Sequence, residues 1–135
     1  MTKQERRVHS LKKKAARTKL DAPQSFWMAP LSDLARLYNG CGPDWMGKFT
    51  RKALTFAMRI FEPAILIHDY RFEFADGSRE SFDEANSEFY ANCKRLSFAS
   101  FKWYEPERYK WLLRAFAAWR FCVRGGWSAW IDATT

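Results

Sequence analysis

A chain of 135 residues, 47% hydrophobic and 18% aromatic, suits a single domain with a dense core. At this length roughly two thirds of the unfolded surface is buried on folding, so neither a metal nor a disulfide is needed merely to fold. No run approaches the ~20 apolar residues of a membrane-spanning helix, and the charged beginning lacks the apolar stretch of a secretory signal.

The formal charge of +8 is unevenly spread. Residues 1–20 hold eight basic groups against Glu5 alone, while the rest of the chain carries 15 basic and 14 acidic groups. A basic N-terminal arm and linker over 1–25, followed by a near-neutral body over 26–135, is the expected organisation. Lys12, Lys13, Lys14, Arg17 and Lys19 in that arm would attract anionic phospholipid headgroups, nucleic-acid phosphates or an acidic partner. A solvated tail that keeps the chain soluble is the plain alternative. The three cysteines, Cys41, Cys93 and Cys122, cannot all pair with one another. Without a leader, they read as reduced thiols in a cytoplasm.

In chain order, residues 1–20 fit either a weak helix or disorder, and residues 21–25 form a linker. Ser32 is expected to cap a short helix to Tyr38, closed by the turn Asn39-Gly40-Cys41-Gly42-Pro43-Asp44. Pro63 suits the first turn of a helix from Glu62 to about Phe74. Asp76-Gly77 breaks the chain, and Ser81-Phe82-Asp83-Glu84 reads as a capping box. On the helix it opens, Phe82, Ala85, Phe89 and Cys93 recur at three- and four-residue steps. A last helix runs from about Pro106 to Arg124. Tyr109, Leu112, Leu113, Phe116, Trp119 and Val123 supply its apolar spacing, and Gly125-Gly126 ends it. The expected fold class is all-α, with a C-terminal helix.

His68 and Asp69 stand at the end of an apolar run. Neighbours on a helix point about 100° apart, so the two side chains cannot serve each other. A histidine on a buried helix is suited to general-base work because its ordinary pKa lies near neutrality. The adjacent carboxylate can ligate a hard cation such as Ca²⁺ if backbone carbonyls complete the shell. The nearest source of such carbonyls is the turn at Gly40 and Gly42, where glycine permits unusual backbone angles.

Phe61-x-Pro63-Ala64-x-x-x-His68-Asp69 resembles the His-Asp helix of the phospholipase A2-like superfamily, above all its short bacterial and phage-encoded members. Asn39-Gly40-Cys41-Gly42-Pro43 is similar to the glycine-rich turn before that helix. Arg79, Ala85-Asn86, Phe89 and Asn92 are similar to the helix that follows, and Arg120 to Trp130 to the aromatic, diglycine ending. The resemblance implies two antiparallel core helices, one carrying His68 and Asp69 and the other Asn86, and that His68 activates a water for attack on an ester carbonyl. It also implies that Asp69 and the carbonyls near Gly40 and Gly42 hold Ca²⁺ against the developing oxyanion, and that the basic arm docks on anionic lipid. The superfamily's histidine-orienting aspartate falls on Asn86, with Asp83 one turn earlier as the alternative acceptor. Ile65 replaces a cysteine, and Phe72 stands where tyrosine is common.

Cys41 lacks an evident activating base, and the cysteines and histidines lack the close spacing of a zinc site. The aromatic and arginine pattern of the last helix reads first as core packing, with an interfacial surface as the alternative. The sequence thus predicts a phage-type phospholipase A2-like protein, weakened or inactive as a Ca²⁺-dependent lipid esterase. Against it stands a non-catalytic accessory protein whose basic arm binds a partner or nucleic acid.

Overall fold

The computed structural model describes residues 1–38 and 47–132. Every regular element among them is helical: α1 (Lys3–Arg17), α2 (Gln24–Met28), α3 (Leu31–Leu37), α4 (Lys48–Ala57), a 3₁₀ turn (Arg59–Phe61), α5 (Glu62–Glu73), α6 (Arg79–Ser100), α7 (Pro106–Gly125) and α8 (Trp127–Asp132). No helix among the described residues is long and apolar enough to cross a membrane.

The central rod is α5. Residues 63–68 and Tyr70 are all buried, the pattern of a helix surrounded on every side. Pro63 fits its first turn because the missing N–H has no intrahelical partner there. The α5–α6 pair is an antiparallel hairpin, since Phe72 meets Phe82 while His68 meets Asn86, in opposing order along the two helices. The same reversal joins α6 to α7, where Arg108 lies over Phe98 and Trp119 stacks on Tyr90. Edge-on contacts of Phe61 with Trp111 and of Phe26 with Tyr70 tie α7 and α2 to the core. Each large apolar side chain fully buried there, such as Phe61 or Leu66, contributes roughly 1.5–3 kcal/mol.

The basic segment is a helix that shares the core. Val8 and Ala15 of α1 are completely buried, and Gln4 donates to the Tyr38 carbonyl at 3.0 Å. The linker is pinned as well: buried Asn92 exchanges two 2.8 Å hydrogen bonds with the Asp21 backbone. Val8, Ala15 and Leu20 belong to the same buried core as residues of α3, α5, α6 and α7, and Leu11 and Ala22 pack against it. Helix α1 closes with Lys19 in the left-handed region, φ 58°, and with Leu20 N–H donating to the Ala15 carbonyl at 3.0 Å.

Two helix starts differ from expectation. The cap of α6 is Ser78, whose hydroxyl accepts from Ser81 N–H at 3.1 Å; Gly77 at φ 80° lets the chain turn there, three residues before the anticipated capping box. Ser81 instead donates its hydroxyl to Asp76 at 3.0 Å. Pro30 precedes α3, and Ser32 lies inside its first turn without capping it.

The register of α7 differs more. Trp111 and Ala115 face the core, whereas Tyr109, Leu113 and Phe116 are exposed. The helix has apolar residues on two faces, and spacing alone selects the wrong one.

The two glycines that follow have different needs. A Cβ on Gly126 would stand 2.6 Å from the Cys122 carbonyl and 3.4 Å from the Phe72 ring, while one on Gly125 meets nothing within 4 Å. Gly126→Ala is therefore expected to lower stability by about 1–3 kcal/mol through overpacking. Gly125→Ala is expected to raise it by up to about 1 kcal/mol through helix propensity. Thermal or denaturant unfolding of the two variants checks the contrast.

Candidate functional site

His68 projects from α5 toward α6, where its Nε2 lies 2.9 Å from Asn86 Oδ1, both residues being buried. Since the amide oxygen only accepts, Nε2–H is the donor, and Nδ1 is left as the basic nitrogen. Among the described residues Nδ1 has no hydrogen-bond partner. Phe72 and Phe89 hold the ring from either side, each at 4.8 Å between centroids. Burial in this aromatic slot pushes the imidazole down to about 4; the Asn86 hydrogen bond opposes that shift, and the nearby Arg71 cation adds to it. The ring is neutral at physiological pH.

Asp83 does not reach the site. It is exposed and pairs with Arg79 at 3.3 Å, because three residues turn a helix by about 300° and move the side chain off the inward line of Asn86. Of the two candidate acceptors, Asn86 alone meets His68. Its amide nitrogen is buried with no hydrogen-bond partner.

Both His68 and Asp69 line one cavity of about 280 Å³. The 100° between them spans its wall rather than sending them to separate neighbourhoods. Leu54 and Met58 close it from α4 and its end, Ile65 from α5, Phe89 from α6, and Ala117, Ala118, Phe121 and Cys122 from α7. Apart from the imidazole and the carboxylate, the named lining is apolar or weakly polar sulfur. Such a slot accepts a hydrocarbon chain and presents its end to two polar groups.

Asp69 is half-buried. Its carboxylate acts electrostatically on Tyr38, whose hydroxyl donates to Glu62 Oε1 at 2.8 Å and whose phenol is pushed up by burial first and by Glu62 next. Arg7 of α1 pairs with the same Glu62 carboxylate, so α1, α3 and α5 converge here. Gly40 and Gly42, the expected carbonyl donors, and Cys41 beside them lie outside the described residues. Among the described residues no group of three or more His, Cys, Asp or Glu side chains could hold a metal ion. One cavity carboxylate falls far short of the six to eight oxygens that Ca²⁺ takes, so the described residues do not by themselves fit a calcium shell.

Of the expected surface cations, Lys13, Lys14, Arg17 and Lys19 are exposed. Lys14 and Arg17 border an open groove with Thr18 and with Leu96, Ala99 and Ser100 of α6. Lys12 differs from these four: it is half-buried, its ammonium donates to the Ala29 carbonyl at 3.5 Å, and burial lowers its pKa. It faces inward because it sits four residues from Val8, on the core side of α1.

Three contributors escape a reading of sequence. Arg71 makes paired hydrogen bonds to Glu88 at 3.2 and 2.8 Å, bridging α5 and α6 beside the imidazole. Asn92 clamps the linker, although its place in the α6 pattern was visible. The cavity wall on α4 and α7 carries no polar signature to find. No family model matches this chain, and comparison with curated proteins and with solved structures finds no match either.

The imidazole carries two predictions. Its pKa is ordinarily near 6.5 and falls to about 4 on folding, so the unfolded chain binds the extra proton between those values. Stability is expected to drop as pH falls from about 6.5 to about 4 and to level off below, by roughly 3 kcal/mol in all. Unfolding of the parent against His68→Gln at each pH isolates this slope, which the variant lacks. Asn86→Asp places a carboxylate against Nε2 and is expected to raise the His68 pKa by roughly 1–3 units. Proton NMR titration reads this directly, since His9 is the only other histidine.

Proposed function

We propose that this chain is a phage-type, phospholipase A2-like ester hydrolase, slow by construction, that takes an acyl lipid at an anionic membrane surface. The observation that carries the reading is the largely apolar cavity that His68 and Asp69 line together, with the imidazole held across the hairpin so that Nδ1 is its basic nitrogen. An acyl chain in the slot would bring its ester carbonyl to the polar end. Nδ1 would take a proton from a water whose oxygen attacks the carbonyl carbon, and would return that proton to the departing alcohol. Acid and alcohol are the products.

Two features set the rate low. An imidazole whose pKa is about 4 is a weak base at neutral pH, and Asn86 offers the forming imidazolium a dipole where a carboxylate would offer a charge. The corresponding loss in a serine-protease triad costs ~10⁴ in rate. The same two features favour a second reading, a non-catalytic accessory protein that keeps the slot for binding. A Ca²⁺ ion held at Asp69 would stabilise the developing oxyanion. The chain's net charge of +8 supplies long-range attraction to anionic headgroups, and nucleic acid is the competing polyanion.

Fatty acid release from phosphatidylglycerol vesicles tests the reading. Slow release is expected from the parent chain, none from His68→Gln, and roughly tenfold or more acceleration from Asn86→Asp. Ca²⁺ is expected to raise the melting temperature of the parent and not of Asp69→Asn. Absence of release from both the parent and Asn86→Asp, with a medium-chain fatty acid still raising the melting temperature, would favour the accessory protein.

A further inference from the structure

We propose that the outward faces of α7 and α4, rather than the basic helix α1, form the surface that seats this protein on an anionic lipid bilayer. Tyr109, Leu113, Phe116 and Arg120 follow one another at steps of four, three and four residues, a single line along α7. All four are exposed, with Leu113 at 71%. The line points away from Trp111 and Ala115, which hold the helix to the core. On α4, Phe49, Lys52 and Phe56 share a face in the same way, and all are exposed. No residue of α4 is buried. Scattered exposed hydrophobic side chains need no explanation, but aligned ones on adjoining helices do.

The two helices meet beside the cavity. Arg114 of α7 donates to the Ala57 carbonyl at the end of α4 at 3.2 Å, and both helices wall the cavity that holds His68. Phe121 lines that cavity while remaining half-exposed.

Charge identifies the occupant. Helix α7 carries five basic residues and one acidic residue, and α4 carries three basic and none acidic. Outside residues 1–20 the chain is only +1, so these two helices at +7 leave the remainder of the body at −6. A second copy meeting this face with the same face, as in a two-fold dimer, would set cations against cations. Aromatic and aliphatic residues flanked by Lys and Arg are what a helix lying in the headgroup region of an anionic bilayer requires. The inference deepens the hydrolase reading by placing its lipid surface beside the cavity, yet it is measured by binding alone.

The experiment is co-sedimentation of the full chain with phosphatidylglycerol vesicles, with phosphatidylcholine vesicles as the neutral control. Thermal melts confirm folding of each outward-facing variant. The parent is expected to bind the anionic vesicles, L113D/F116D to bind at least ~10-fold more weakly, and K13E/R17E to lose no more than about threefold. Parent-like binding by L113D/F116D, loss confined to K13E/R17E, or binding of duplex DNA in place of vesicles would overturn the proposal. His68→Gln keeps the two readings apart. If it binds vesicles like the parent, and neither the parent nor Asn86→Asp releases fatty acid, the hydrolase fails and the surface stands. If fatty acid is released without dependence on Leu113 and Phe116, the surface fails and the hydrolase stands.

Discussion

The hydrogen bond between His68 and Asn86 lies where α5 has no side open to water, and this constraint organises the rest. A polar ring in such a helix must find its partner on a neighbouring helix, because a buried donor left unpaired costs about 1–3 kcal/mol. The antiparallel hairpin of α5 and α6 places Asn86 at the required 2.9 Å. A neutral amide meets the need without the desolvation cost that a buried ion pair incurs. The choice that settles the ring also limits its chemistry: burial in the aromatic slot holds the imidazole neutral well below its ordinary titration range, and the Asn86 dipole opposes that shift only in part.

The charged groups around this centre do structural work. Arg71 and Glu88 cross the hairpin beside it, fixing the register of α5 against α6 while adding a cation that disfavours a second one on the ring. Arg7, Tyr38 and Glu62 gather α1 and the end of α3 onto the start of α5, and Asn92 holds the segment between α1 and α2. The basic helix is thus part of the scaffold, its cations presented from a fixed face.

Much of the inner architecture was legible in the sequence. Pro63, the apolar run to Ile67 and the break at Asp76-Gly77 mark α5 because these are local signals. That Asn86 on a facing antiparallel helix would meet His68 was expected only through the resemblance to the phospholipase A2-like superfamily. Helix α6 is capped three residues before Ser81 because Gly77, at φ 80°, turns the chain there and leaves the cap to Ser78. Asp83 competed with Asn86 in sequence because both lie on the same helix within one turn; only the direction in which α6 presents its face to α5 separates them.

By itself the sequence determined the helical class and the central helix, because helical periodicity and turn chemistry are set by near neighbours; the partner of His68 on the next helix was an expectation from the resemblance alone. Which face of α7 turns inward, which cations remain in solvent, and the existence of a cavity were decided only by tertiary structure. Helix α7 is apolar on two sides, so spacing is satisfied either way, and the choice falls to the fit of Trp111 against Phe61. The cavity is the gap left where α4, α5, α6 and α7 fail to meet. No single segment of the chain encodes a space between helices; their packing creates it.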